Sequence, residues 1–153
     1  MMAIFLAQHG LSLPKDIDPE KGLSEKGRTD TVKIAQVAKA YRVPVYKVVH
    51  STKKRAEQTA AIFNEIFGIK EPCRRIDGIN PLDDVTVFAK GIDPSSNVMA
   101  VGHLPFMERL VSYLTTGSTE LKIYRFQNSG IVCLDRDENR NWFIKWTLNP
   151  NIS

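Results

Sequence analysis

The stretch AIFLAQHG, residues 3–10, decides the fold class and places the first reactive side chain. Its first five residues are apolar, and the run then ends at Gln8, His9 and Gly10. A short apolar run of this kind is typical of a strand buried on both faces, as in a parallel sheet. Glycine at its end lets the backbone come close to a ligand. The stretch therefore predicts a central strand that delivers a histidine to a binding edge.

Two later runs repeat the pattern. VYKVVHST, residues 45–52, ends its strand at His50, and NVMAVGHLP, residues 97–105, ends its strand at His103. The chain has only 3 histidines, so each of them follows a predicted strand. The carboxyl ends of parallel strands share one edge of a sheet, which is where ligands bind in such folds.

Helical patterns alternate with these strands. Helices are predicted from a Ser24 cap to about Tyr41, over 53–67 after a cap at Ser51 or Thr52, around 85–90, and from Pro105 to about Leu114. Further strands are predicted in CRRIDGI (73–79), YRFQNSGIVCLD (124–135) and NWFIKWTL (141–148), the last two joined by a polar turn. This order predicts one α/β domain over residues 1–153. Its architecture is a three-layer sandwich with a mainly parallel central sheet, antiparallel edge strands and helices on both faces.

Composition narrows the class of protein. The 153 residues carry a formal net charge of +4, and no basic stripe interleaved with aromatic residues indicates nucleic-acid binding. No apolar run is long enough to span a bilayer, and the first residues do not form a signal peptide, so a cytoplasmic protein is expected. Cys73 and Cys133 lie apart in apolar stretches and are interpreted as small buried hydrophobic residues.

Basic residues follow the second strand. Lys53, Lys54 and Arg55 lie in the first turn of the predicted helix, where the helix dipole disfavours cations unless an anion binds there. Free N–H groups and an arginine fork at a helix start are typical of a phosphate site. Histidines beside such a site indicate phosphoryl transfer with histidine as the nucleophile. Three histidines could also hold zinc, but the spacing gives no metal-binding motif, and no metal or cofactor is expected.

Four motifs together resemble the histidine phosphatase superfamily, which includes the cofactor-dependent phosphoglycerate mutases. They are, in chain order, QHG (8–10), GLSEKGR (22–28), STKKRAEQTA (51–60) and VGHLPFM (101–107). Length and VGHLP look most like the small phosphohistidine phosphatase branch of SixA-like proteins. The resemblance implies a phosphoglycerate mutase-like fold and a metal-independent phosphatase. Its expected substrates are phosphohistidine proteins or small phosphoesters.

The resemblance also implies roles for individual residues. His9 would become phosphorylated, Arg55 would grip the phosphoryl oxygens, and His103 would stabilise the transferring group. The remaining candidates for phosphate binding are Gln8, Gly10, Ser51, Asn128 and Ser129. Asp83 and Asp84, in the NPLDD turn, are candidates for the general acid.

Gln8 departs from the pattern, because the superfamily has arginine before the nucleophile. Losing one charge-assisted hydrogen bond costs about 1.5–3 kcal/mol, which is about 10- to 150-fold in rate. Lys53 or Lys54 could restore the charge. The alternative is a catalytically weakened module of the same fold that binds a phosphorylated protein. A nucleotide-binding domain is a third reading, but neither of its glycine-rich motifs occurs in the chain.

Overall fold

The computed structural model describes residues 3–152. Strands and helices alternate along most of the chain. They are β1 (Ala3–Gln8), α1 (Glu25–Ala40), β2 (Lys47–His50), α2 (Lys54–Ile66), β3 (Arg74–Arg75), α3 (Val85–Lys90), β4 (Val98–Gly102), α4 (Phe106–Thr116), β5 (Ile131–Arg136) and β6 (Trp142–Leu148). No helix in this part of the chain is long and apolar enough to cross a membrane.

The strands form one six-stranded sheet in the order β3-β2-β4-β1-β5-β6. The β1–β4, β2–β4 and β2–β3 pairs are parallel, whereas β5 is antiparallel to β1 and to β6. The predicted sheet, mainly parallel with antiparallel strands at one edge, is confirmed. Because β1, β2 and β4 are parallel and β4 lies between the other two, their carboxyl ends meet at one edge.

Helices cover both faces of the sheet. On one face, Phe5 and Met99 pack with Ile34 of α1 and Phe63 of α2. On the other face, Leu6 packs in a cluster with Leu110 of α4. Phe5 and Leu6 are consecutive in β1 and point in opposite directions, as side chains of a strand do. The predicted three-layer α/β sandwich is therefore confirmed.

Local capping explains where the helices begin. Ser24 accepts a hydrogen bond from the Gly27 N–H, as expected for an N-cap, and α1 starts at the next residue. The cap of α2 differs from the prediction, since Lys53 occupies the cap position and makes no side-chain cap bond. Pro105 precedes α4 instead of opening it, so the helix starts at Phe106.

The predicted strand over 124–130 is wrong. Tyr124 and Phe126 alternate in the sequence as strand residues do, but they lie in no strand. Their rings instead make an edge-on contact with each other, with centroids 5.2 Å apart. Ser129 has a φ of 67°, which bends the backbone, and β5 begins only at Ile131, opposite Ala7 of β1. The region is a loop that returns the chain to the carboxyl end of β1.

Candidate active site

His9 and His103 meet at the carboxyl edge of the sheet. Their ring centroids lie 5.0 Å apart with the ring planes tilted by 52°. They follow β1 and β4, whose last residues Gln8 and Gly102 are paired in the sheet. His50 ends β2. Its side chain is buried, and its Nδ1 bonds to the Ser51 carbonyl. Two of the three histidines therefore form a pair.

The two nitrogens of the His9 ring have different roles, and Nε2 is the one that carries the lone pair. Nδ1 lies 2.7 Å from the Gly10 carbonyl oxygen, and since a carbonyl can only accept, Nδ1 carries the proton. The Nε of Arg55 donates to His9 Nε2 across 3.3 Å. A neutral imidazole with Nε2 unprotonated is the form that can attack phosphorus.

The electrostatic surroundings keep His9 neutral. Burial lowers the pKa of His9 from its usual 6.5 to about 4, against the opposing effect of the Gly10 carbonyl. The positive charges of Arg55 and Lys21 contribute to the same lowering, but less than burial does. At neutral pH the ring is therefore unprotonated at Nε2 and ready to react.

The backbone that carries His9 is held on both sides. The His9 N–H donates to the Gly102 carbonyl at 3.0 Å, and Asn128 Nδ2 donates to the His9 carbonyl, also at 3.0 Å. The Ser129 N–H donates to the Gln8 carbonyl at 3.0 Å. The structure thus brings Asn128 and Ser129 next to His9, where these contacts fix its backbone.

Gly10 has a different use from the one expected. Its N–H donates to Thr59 Oγ1 at 2.8 Å, so the Gly10 amide is already engaged by α2. A Cβ at this position would lie 2.9 Å from Thr31 Oγ1 and 3.0 Å from the Gly27 carbonyl. The absence of a side chain lets α1 approach the end of β1. Thr59, in the RAEQT motif, was not singled out from the sequence.

His103 is nearly inaccessible, with 1% of its surface exposed. Its Nε2 lies 2.5 Å from Ser51 Oγ, and Ser51 Oγ also accepts the Lys53 N–H at 3.3 Å. Burial, followed by the charges of His9, Arg55 and Lys53, lowers the pKa of His103 from 6.5 to about 3. Ser51 therefore joins the start of α2 to the second histidine.

The three basic residues at the start of α2 separate into different environments. Lys54 forms ion pairs with Asp18 and Glu20, at 3.3 and 3.4 Å, so its charge is neutralised by the loop before α1. Arg55 takes part in none of the ion pairs within residues 3–152, and its guanidinium is directed at His9. Arg55 is thus the cation best placed to meet a phosphoryl group.

Asp83 and Asp84 serve the local backbone. Asp83 Oδ2 accepts the Asn80 N–H at 2.8 Å, which closes a turn. Asp84 Oδ1 accepts the N–H and the hydroxyl of Thr86, and these bonds cap α3 and hold the pKa of Asp84 below its usual value. A general acid must hold its proton at working pH, so Asp84 does not suit that role.

Gln8 lies beside the histidine pair but in a different setting. Its side chain is buried, and its Oε1 has no hydrogen-bond partner among residues 3–152. It lines a cavity of about 560 Å³, which it shares with Asn128. A larger cavity of about 660 Å³ lies between the end of α1 and β6, around Tyr41 and Trp146, and contains none of the candidate residues.

Metal ligands do not gather at this edge. Over the described range, no group of three or more His, Cys, Asp or Glu side chains could hold a metal ion.

Comparisons with known proteins bear on the fold and on the resemblance. No family model matches the sequence. The chain is 25% identical over 155 residues to the phosphohistidine phosphatase SixA of Escherichia coli (strain K12), covering 97% of this chain and 94% of that protein. A structure of the protein histidine phosphatase SixA complexed with tungstate superposes with a TM-score of 0.81 at 24% identity, covering 97% of each chain.

A more distant structure shares the same fold. A mutant phosphoserine phosphatase from Entamoeba histolytica, in complex with phosphoserine, gives a TM-score of 0.73 at 14% identity over 96% of both chains. These findings confirm the phosphoglycerate mutase-like fold. They also confirm the resemblance to the histidine phosphatase superfamily, on its SixA-like side.

Proposed function

We propose that this protein is a metal-independent phosphatase that acts on phosphohistidine proteins or small phosphoesters through a phosphohistidine intermediate on His9. The observation that carries the proposal is the state of the His9 ring. Nδ1–H is held by the Gly10 carbonyl, and the lone pair of Nε2 faces Arg55. The sequence similarity to SixA over nearly the whole chain supports the same reading.

The reaction has two steps. In the first, the lone pair of His9 Nε2 attacks phosphorus, and the bond from phosphorus to the leaving atom breaks with its electron pair going to that atom. The leaving atom takes up a proton from solvent. In the second, water attacks phosphorus and displaces His9 Nε2, and the proton that this water loses goes to solvent. The products are inorganic phosphate and the original neutral histidine.

Arg55 and His103 have supporting roles in this scheme. The guanidinium of Arg55 neutralises charge on the phosphoryl oxygens, where a planar fork matches their geometry. His103 would donate to the same oxygens through Nδ1, which has no partner among residues 3–152, because its Nε2 is bonded to Ser51. Its ring centre lies 5.0 Å from that of His9. Stabilising charge that develops in the transition state is usually a large part of catalysis.

An imidazole leaving group fits this site best. Asp84 caps a helix and Asp83 closes a turn, and among residues 3–152 neither carboxyl makes a hydrogen bond to His9, Arg55 or His103. Protonated imidazole leaves more readily than an alkoxide and depends less on a strong acid. Phosphohistidine is therefore the preferred substrate class within the proposal.

A phosphate-binding module is the second candidate. Gln8 favours it, because a neutral amide replaces the cation that precedes the nucleophile in the superfamily. A binding module would keep Arg55 and His103 to recognise phosphate, without turnover.

A phosphotransfer experiment separates the two candidates. The protein is exposed briefly to a small phosphoramidate donor at neutral pH with EDTA present, and mass spectrometry then locates any phosphate on the protein. We expect phosphate on His9 and steady release of inorganic phosphate. His9→Ala should lose both signals by at least about 1,000-fold, because the covalent route is gone.

Two results would overturn the proposal. One is hydrolysis by His9→Ala at the parent rate, which would remove His9 from the mechanism. The other is the absence of phosphoenzyme and of turnover in a parent protein that still binds phosphate, which would favour the binding module. Loss of activity in EDTA would contradict metal independence.

A further inference from the structure

The cavity lined by Gln8, which we call the Gln8 cavity, borders the segments that carry the histidine pair, since Leu104, which directly follows His103, also lines it. Gln8 directly precedes the nucleophile, and Asn128 donates from the cavity wall to the His9 carbonyl. The phosphoryl group of a substrate has its leaving group attached, and that group needs space next to the histidine pair. With a volume of about 560 Å³, the Gln8 cavity can hold an aromatic ring or a peptide side chain.

The walls of the Gln8 cavity carry no net charge. Its two ionisable side chains, Lys26 and Asp30, pair with each other at 2.8 Å. The other walls are apolar or carry amides. An arginine in place of Gln8 would have added a permanent cation to this wall.

Amide groups dominate the polar part of the cavity. Gln8, Gln127, Asn128 and Asn151 all line it. Gln127 bonds through its side chain to the backbone of Asn151, donating to the carbonyl at 2.9 Å and accepting the N–H at 3.1 Å. Amides offer both donors and acceptors to a neutral polar group. They cannot offset the cost of removing a carboxylate from water as a cation can.

We propose that the Gln8 cavity is the leaving-group subsite and that it selects phosphorylated compounds with an uncharged leaving group over compounds whose leaving group carries a carboxylate. This rests on the proposed function for its biological meaning. It extends that function by assigning Gln8, Asp30 and Asn151 to substrate discrimination. The favoured class includes imidazole and other neutral polar rings. The disfavoured class includes phosphorylated hydroxy acids.

The test measures binding and turnover separately. Two phosphonates that resist hydrolysis, 4-carbamoylphenylphosphonate and 4-carboxyphenylphosphonate, differ only by amide against carboxylate. Calorimetric titration of the parent protein at neutral pH and fixed salt should show about 10-fold tighter binding of the carbamoyl compound, which is a modest effect for one charge. The matching aryl phosphates are then assayed for hydrolysis.

Two variants give the Gln8 cavity a net positive charge by different routes. Asp30→Asn leaves Lys26 without its partner at almost unchanged shape, and Asn151→Lys adds a cation while the backbone bonds to Gln127 remain available. Both should reduce the preference for the carbamoyl compound by about 10-fold. Asn139→Lys, on the exposed turn between β5 and β6, adds the same charge elsewhere and should leave the preference unchanged.

The outcomes separate this inference from the proposed function. Equal binding of the two phosphonates to the parent, or a preference that neither cavity variant changes, overturns the subsite. A preference that Asn139→Lys changes as much as Asn151→Lys also overturns it, since long-range charge would then explain the effect. Selective binding, with no hydrolysis of either aryl phosphate and no release of phosphate from a phosphoramidate donor, supports the subsite and overturns the phosphatase.

Discussion

Gln8 and His9 are neighbours in the chain, yet their surroundings differ in almost every respect. His9 has its ring nitrogens, N–H and carbonyl all bonded, to Gly10, Arg55, Gly102 and Asn128. Gln8 has a buried acceptor without a partner and opens onto a cavity without net charge. The difference indicates that hydrogen bonds fix the ring and backbone of His9, whereas the Gln8 side chain keeps an acceptor without a partner among residues 3–152.

Among the changes to the surroundings of His9 and Gln8, removal of the Arg55 side chain should reduce activity the most. Arg55→Ala removes the charge that faces His9 Nε2, so we expect kcat/KM for an aryl phosphate to fall about 100-fold. Inhibition by vanadate, which imitates the five-coordinate state, should weaken in parallel. Arg55→Lys should recover only part of the loss, because a point charge cannot match the guanidinium fork. Steady-state kinetics with vanadate titration measure both.

A matched control is available on α1. Arg28 is exposed and its side chain makes no hydrogen bond with any residue from 3 to 152, so Arg28→Ala should behave like the parent. Equal vanadate sensitivity in Arg55→Ala and Arg28→Ala would show that Arg55 does not touch the phosphoryl group. The proposed role of Arg55 beside His9 would then be wrong.

The next prediction concerns the packing of α1 against Gly10, the residue that follows His9. Gly10→Ala would place a Cβ 2.9 Å from Thr31 Oγ1 and 3.0 Å from Leu23 Cδ2, and such overpacking costs about 1–3 kcal/mol of unfolding free energy. Gly91→Ala is the control, because its Cβ would meet only the Phe88 carbonyl at 3.6 Å. Urea unfolding of the two variants measures the difference. If both variants are equally stable, α1 does not hold the nucleophile strand as described.

Gln8→Arg tests whether the missing positive charge at position 8 limits activity. The added guanidinium should raise kcat/KM for a small aryl phosphate by about 10-fold, together with vanadate affinity. Lys54 cannot already supply this charge, because Asp18 and Glu20 neutralise it. Lys53 remains the alternative source, since its charge lowers the pKa of His103.

A double substitution resolves that alternative. If Lys53 compensates, Lys53→Ala should reduce activity in the parent and reduce it less in the Gln8→Arg background. If the parent has no activity on any phosphoester or phosphohistidine, and Gln8→Arg restores none, the proposal that this protein is a phosphatase is contradicted.

The last prediction concerns the pH dependence of stability. The pKa of His9 is about 4 and that of His103 about 3 in the folded protein, both below the usual 6.5. As pH falls below 6.5, the unfolded chain binds protons that the folded protein refuses, so the unfolding free energy decreases. The slope for one histidine is at most about 1.4 kcal/mol per pH unit.

Urea unfolding between pH 7 and pH 5 measures this slope. His9→Ala removes one contributor and should make the slope shallower than in the parent. An unchanged slope would mean that His9 titrates normally, and that burial does not keep the nucleophile neutral.

Local signals explain what the sequence could predict. Apolar runs ending in His9, His50 and His103 revealed the strands, and Ser24 revealed the start of α1. The sheet edge that joins these strand ends followed from their parallel order. By contrast, Tyr124 and Phe126 alternate like a strand and form a loop, because ring packing can produce the same spacing.

Contacts between distant residues could not be predicted in this way. The Gly10–Thr59, Ser51–His103 and Asn128–His9 bonds join residues 49, 52 and 119 positions apart. No local pattern encodes such pairs, and a neutral Gln8 cavity becomes visible only when five separate segments surround it. The resemblance named most of the participating residues, but not what each one touches.

The position of β1 in the sheet has a consequence for synthesis on the ribosome. β1 is made first, yet both of its sheet neighbours, β4 and β5, come from the second half of the chain. Asn128, which holds the His9 carbonyl, follows His9 by 119 residues, or about 6–24 s at about 5–20 residues per second. A growing chain therefore carries His9 without its later partners, and we expect this histidine to stay inert until the segment that contains Asn128 has been made.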